Sequence, residues 1–355
     1  MTPQVLTIKG LNMSKRMVIF NHKGGVSKTT TVYNLGWMLS KTYKVLVVDA
    51  DAQCNLTSLI LGDDFERYYT DDQTRLNNIK DGVGMAFQGK PTPITAVNCF
   101  SPQKAPSLYL LAGHANLSEY DASLTFAQTS NNALSTLQNL PGAFSELLRL
   151  TEEKYSIDYT IIDLNPSLSA TNQNLFLSAH AFIIPTNPDP FSIMAINTLK
   201  STLPRWAEWK RTAVQLFSDS AYPLLPGAPK FSGSLIQRFN IRNGRAARPY
   251  RDNINEIKDS LSGSFYEAIS SASMVFTPEQ YGADFIENKY CLAEVPDFQG
   301  LLPKAHQAGV PVFDVTDADI AETGPVLAQL QAKRTLFNEY FKQVSQKLVS
   351  LLAHA

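Results

Sequence analysis

The segment Asn21–Thr30, NHKGGVSKTT, restricts the possible folds of this 355-residue chain more than any other stretch. An apolar β-branched run, MVIF at 17–20, leads into it, and a helical pattern follows. Adjacent glycines, Gly24 and Gly25, let the backbone turn tightly and aim its N–H groups inward. Lys28 then opens a helix, whose N-terminus favours anions. Strand, glycine loop and helix in that order predict a β-α unit that cradles phosphate with Gly24, Gly25, Val26, Ser27, Lys28, Thr29 and Thr30.

Short β-branched runs recur downstream: KVLVVDAD (44–51), LYLLAG (108–113), YTIIDL (159–164), AFIIPT (181–186) and GSLIQRF (233–239). Helical patterns separate them, which predicts an α/β fold with a mainly parallel, twisted sheet flanked by helices on both faces. Runs at 292–295 and 310–315 are expected to add edge strands. We read a short N-terminal extension, 1–16, followed by a single domain over 17–355. A polar insert at about 62–104 reads as a helix with long loops, and a terminal helix is expected from about 325. Its stripe of Phe337, Phe341, Val344, Leu348 and Leu351 should pack on the sheet.

The overall balance narrows the function. A net charge of -1 with 18% charged residues excludes a polycation built to coat nucleic acid, so any anion binding must be local. Cys54, Cys99 and Cys291 form no CxxC pair, which argues against a zinc site, a shared metal cluster or a disulfide framework. The first sixteen residues lack a signal-peptide core, and no run approaches the roughly 18 apolar residues of a membrane span. A cytoplasmic protein without stable membrane insertion is expected.

Within the loop, Lys28 should neutralise β- and γ-phosphate oxygens of ATP, Thr29 should offer its hydroxyl to Mg²⁺, and Thr30 should bind the α-phosphate. Asp49 and Asp51 end the second run two residues apart, hence on one face of a strand. Asp163 ends the YTIIDL run, as expected of a carboxylate that holds Mg²⁺ through water. The pattern GxxxxGK[ST] is not met, because His22 and Ser27 stand where its glycines would be and an extra lysine, Lys23, precedes the glycine pair.

These residues resemble the deviant Walker A family of ParA and MinD type ATPases, whose loop reads KGGxxK[ST], and are closest to the ParA (Soj-like) partition ATPases. The likeness extends through TTTVYNLGWMLS (29–40), LLAGHANLSEYD (110–121), IIPTNPDPFSIMAINTL (183–199) and, in outline, VPDFQGLLPKAHQAGVPVFD (295–314). It implies a slow, partner-stimulated ATPase that forms a nucleotide-sandwich homodimer on binding ATP, with Lys23 reaching the partner's phosphates. It also implies that Asp51 orients the attacking water, that Asp49 has a supporting Mg²⁺ or hydrogen-bond role, and that Gln237 and Pro296 line the adenine pocket. Asn165 replaces a proline of the family's IIIDxPPS element, and Ser27 replaces its usual glycine.

The use made of ATP is a separate question. RFNIRNGRAARPYR carries five arginines and no acid. A helix after Asn243 would set Arg245, Arg248 and Arg251 toward DNA phosphates, although Pro249 stands where it would interrupt one. By resemblance the expected job is DNA partition or cargo positioning through nonspecific DNA binding on the nucleoid, with a ParB-like or other protein that stimulates hydrolysis. No helix-turn-helix module precedes the loop, which argues against operator-specific repression. The rival expectation is an ATP-dependent dimer switch for a protein partner in signalling or host defence, without DNA.

Overall fold

The computed structural model describes residues 14–130, 137–242, 245–246 and 248–355. Residues 1–13 of the expected extension lie outside them. The strands are β1 (Lys15–Ile19), β2 (Val45–Ala50), β3 (Leu108–Leu111), β4 (Tyr159–Leu164), β5 (Ala181–Thr186), β6 (Lys230–Gln237), β7 (Ile241–Arg242), β8 (Arg245–Ala246) and β9 (Cys291–Val295). Seven of them form one parallel sheet in the order β3-β2-β4-β1-β5-β6-β9, and β7 and β8 make a small antiparallel hairpin apart from it.

β2 and β5 are buried along their whole length, which is why they read as unbroken apolar runs rather than alternating ones. Helices flank the sheet and complete its core. At the carboxyl end of β1, Phe20 meets Phe176 and Trp206 with ring centroids 5.6 and 5.7 Å apart, joining the strand to the helices Ala170–Leu177 and Pro190–Leu216.

The sheet fixes which strand ends are neighbours. β4 lies between β2 and β1, and its register pairs Asp163 with Asp49 on one side and with Ile19 on the other. Two carboxylates and the start of the glycine loop are therefore side by side at the carboxyl edge, where parallel α/β sheets present their crevice.

Three expectations need correction. The run 310–315 is a turn rather than a strand, although Val312 and Val315 are each 1% exposed. Burial alone makes a run apolar, and Pro311 removes a ladder donor. The insert at 62–104 holds two helices, Phe65–Thr70 and Ile79–Phe87, and the second buries Ile79 and Val83 in the core under an Asn78 cap. Pro249 does not interrupt a helix but sits in the first turn of Arg248–Ser260, where its missing N–H would be unpaired in any case. Arg245 consequently lies on β8, and only Arg248 and Arg251 share the helix.

The terminal helix, Gly324–Leu352, packs against Lys28–Ser40 and β9, and Phe337, Phe341, Val344, Leu348 and Leu351 are all buried. Leu348→Ala should lower unfolding free energy by about 2–5 kcal/mol in a urea titration, the usual cost of a buried leucine truncation. A change under about 1 kcal/mol would mean that this helix does not belong to the cooperative core.

Candidate functional site

The loop between β1 and Lys28–Ser40 is held from below by side chains. Asn21 donates its side-chain amide to the Pro185 carbonyl at 2.9 Å and accepts the Lys23 N–H at 3.0 Å, which anchors the loop entrance to β5. Gly25 has φ +73° and Ser27 φ 61°, both in the left-handed region. Glycine enters that region freely, whereas serine does so at a cost. A Cβ at Gly24 or Gly25 would meet nothing within 4 Å, so the loop encloses open space. That space belongs to a cleft of about 820 Å³, bordered by residues 24–30, Asp51, Gln237, Arg238 and Pro296.

Lys28 is 7% exposed, and its ammonium donates to the Asn21 carbonyl at 3.0 Å and the Lys23 carbonyl at 3.3 Å. Burial lowers its pKa, while Asp163 and Asp51 pull it back up. Asp163 is 1% exposed, and neither of its carboxylate oxygens receives a hydrogen bond. Burial, with Asp49 adjacent, pushes its pKa well above the usual carboxylate range; nearby Thr29 and Lys28 favour the ionised form. A buried carboxylate without a well-formed hydrogen bond, the Thr29 hydroxyl being too poorly placed to count as one, is an expensive group, and its place beside Lys28 and Thr29 fits a magnesium ion held with a nucleotide.

Asp49 has its hydrogen bonds already. One oxygen accepts the Thr57 N–H at 2.8 Å and the Thr57 hydroxyl at 2.7 Å, and the other accepts the Asp51 N–H at 3.2 Å. Thr57 in turn accepts the Gly113 N–H at 2.9 Å, so Asp49 ties the ends of β2 and β3 to the helix Asn55–Leu61. Of the two roles open to it, this geometry occupies the hydrogen-bonding one. Asp51 reaches the cleft and accepts the Gln53 N–H at 3.0 Å.

Gln237 and Pro296 border the same cleft as the loop, and the Gln237 amide donates to the Thr31 hydroxyl at 2.8 Å. Lys23 turns back onto its own chain: its ammonium donates to Asp189 at 2.5 Å and to the Ser192 hydroxyl at 3.1 Å. Asp189 also caps the helix Pro190–Leu216 by accepting the Ser192 N–H. Arg248 and Arg251 are exposed on the first turn of their helix, away from the loop's lining, whereas the side chain of Arg245 lies outside the described residues.

Sequence reasoning missed three features here. Arg238, at φ 63°, places its guanidinium on the Gly25 carbonyl at 3.1 Å, and Asn187 donates to the same oxygen at 3.0 Å. The Asp189 contact had a readable signal, an aspartate directly before Pro190, the usual start of a helix. The antiparallel pairing of β7 with β8 also had one, since the sequence between the two runs reads Asn-Gly. Arg238 had none, because its geometry depends on where β6 ends.

Two measurements follow. Ser27→Gly should raise stability by about 0.5–1 kcal/mol by relieving the left-handed serine, and a loss would show that the hydroxyl side chain has a role in the loop. Burial raises Asp49 from its ordinary 3.8 to about 6. The protonated form is thus favoured in the fold, and its contribution, fully present below about 3.8, is lost as pH rises through about 6. In Asp49→Asn the stability change across that window should shrink by on the order of 3 kcal/mol. An unaltered slope in denaturant titrations between those pH values would refute the assignment.

A family model described as an AAA domain matches residues 14–216, more than half of the chain. The chromosome partitioning protein ParA of Caulobacter vibrioides is 28% identical over 196 residues, 55% of this chain and 64% of that protein. The chromosome-partitioning ATPase Soj of Thermus thermophilus is 30% identical over 192 residues, covering 53% and 61%. The chain thus spans a little under two thirds of the length of these relatives. Among solved structures, pNOB8 ParA superposes with a TM-score of 0.57 at 18% identity over 95% of this chain and 99% of that one, and the same protein bound to nonspecific DNA gives 0.53 at 17% identity over 96% and 99%. Those structural likenesses speak for the fold alone. Together with the glycine loop and the carboxylates at the strand ends, the matched model and relatives show that the chain belongs to this AAA-domain family and, within it, to the ParA-type ATPases.

Proposed function

We propose that the chain binds and hydrolyses ATP with Mg²⁺, closes into a sandwich homodimer while ATP is bound, and serves as a switch in DNA partition or cargo positioning through nonspecific DNA binding. One observation carries the nucleotide part: the buried Asp163, with both oxygens unpartnered, beside Lys28 and Thr29 at a loop that encloses open space. Backbone N–H groups of 24–28 and the Lys28 ammonium would bind the phosphates, and Thr30 the α-phosphate. Mg²⁺, when bound, would neutralise phosphate charge. Thr29 would hold it directly and Asp163 through water, with Asp49 bracing the strand ends. Asp51 borders the cleft as the water-positioning carboxylate, and Gln237 and Pro296 border the adenine side.

The dimer part rests on Lys23 and its surroundings. On the same helix that holds Lys23 through Asp189 and Ser192, Phe191 is 68% and Met194 64% exposed. A second copy meeting this face would cover them and give Lys23 an alternative anion in the partner's phosphates. The names of the Caulobacter and Thermus relatives and the DNA complex of the pNOB8 fold neighbour support a partition role. Arg248 and Arg251, exposed at a helix N-terminus, are the DNA contacts we favour, with Arg245 on the adjoining hairpin strand. A ParB-like or other protein partner would set the rate of hydrolysis. No described helix is long and apolar enough to cross a membrane.

Sedimentation with ATP and Mg²⁺ tests the switch. The unaltered protein and Asp51→Ala should be dimers, Lys28→Ala should bind no nucleotide, and Lys23→Ala should bind ATP yet stay monomeric. A monomeric Asp51→Ala with ATP bound would refute the water-positioning role. On nonspecific DNA, Arg248→Ala with Arg251→Ala should make the salt dependence shallower by about 2 per protomer in log–log slope. Normal dimers that never bind DNA would favour a protein partner instead.

A further inference from the structure

A second cleft, of about 770 Å³, opens at the opposite end of the sheet from the glycine loop, where β5 and β6 begin. Its walls come from the later half of the helix Pro190–Leu216, the loop at 226–228 and the end of the helix Tyr266–Ser271. Pro204, Ala207, Val214 and Ala268 make much of the lining apolar. His354 and Ala355 close one side, and a carboxylate oxygen of Ala355 is taken by the Lys15 ammonium at 2.5 Å.

The charges in this cleft do not balance. Arg205, Lys210, Arg211 and Lys230 line it, against two carboxylates that already have partners, Glu208 with Arg211 and the terminal carboxylate of Ala355 with Lys15. Lys230 donates to the Ser273 carbonyl at 2.5 Å, and Arg205 is exposed. Lys210 is the anomaly. It is 5% exposed, and its ammonium donates to the Leu177 carbonyl at 2.5 Å and pairs with no carboxylate among the described residues. Nearby Arg16 shows the ordinary solution, since its buried guanidinium binds both oxygens of Glu152 at 2.8 and 2.9 Å. A lysine this buried is rare unless paired. Burial and the Arg16 charge push it down to about 8.

His180 adds a donor. Its Nδ1 accepts the Arg16 N–H at 3.0 Å, and burial together with the surrounding cations lowers its pKa to about 4. The neutral ring therefore carries its proton on Nε2. Lysine, arginine and histidine side chains thus border one largely apolar hollow whose size is within the usual range for small-molecule sites.

We propose that this cleft binds a small organic anion, an oxyanion head of phosphate or carboxylate type on an apolar body, with Lys210, Lys230 and Arg205 holding the head. The site is separate from the nucleotide cleft and does not depend on the function proposed above. The anion supplies the counter-charge that Lys210 lacks, and the proline, alanine and valine walls shed water against the body.

Calorimetric titration of the full chain with 1-naphthyl phosphate, 1-naphthoate and inorganic phosphate, each with and without ADP, tests it. At least one naphthyl anion should bind once per chain, undisplaced by ADP and more tightly than inorganic phosphate. The tighter of the two names the head group. Arg205→Gln with Lys230→Gln should weaken binding by about tenfold or more and leave nucleotide affinity unchanged. Lys210→Met keeps the length of the side chain without its charge, and should also weaken binding while leaving the unfolding transition intact. Failure of both naphthyl anions to bind, displacement by ADP, or equal binding by both sets of variants would overturn the proposal.

Discussion

A carboxylate buried without a hydrogen bond is the constraint on which the site depends. Asp163 ends the strand that lies between β2 and β1, so its charge is enclosed by backbone and by Asp49 rather than by water. Either a proton or a nearby cation makes such a position tolerable, and among the described residues Lys28 is the cation that favours its charge. The lysine is buried too, and it shares its ammonium with loop carbonyls that a phosphate would replace as partners. Each group favours the charged form of the other against the burial that opposes it, and Asp163 has no hydrogen-bond partner to help. That incompleteness is what the proposed nucleotide and its magnesium would relieve.

The scaffold around this pair is complete by comparison. Asp49, Thr57 and Gly113 form a closed chain of hydrogen bonds that joins two strand ends to the following helix. The Phe20, Phe176 and Trp206 cluster holds the end of β1 against two more helices, and the terminal helix braces the one that starts at Lys28. Rigid supports surround an unsatisfied centre, an arrangement that favours a ligand whose geometry is fixed in advance.

Much of this could be read from the chain, for physical reasons that differ by element. The central strands were readable because burial on both faces leaves long apolar runs, as in VLVVDA and AFIIPT. The glycine loop was readable because its chemistry is local: positive φ, a lysine and two hydroxyls within one turn. The run 310–315 was misread because a buried turn and an edge strand demand the same apolar side chains. The arginine-rich segment was only partly legible, since a pair of short strands and a helix start share it where a single helix after Asn243 was expected. A contact between distant segments such as Arg238 on Gly25 left no trace in local pattern, because it arises from strand order.

The Lys23 contact bears on timing. Lys23 and Asp189 are 17% and 32% exposed, and ion pairs so near the surface contribute only about 0–1 kcal/mol. Asp189 still keeps the Ser192 N–H if the lysine leaves, so the helix start does not unravel. Release of the ammonium is therefore a local step that costs no other described contact of the helix start. Any encounter that needs it would be paced by diffusion and orientation, with no slow opening step ahead of it.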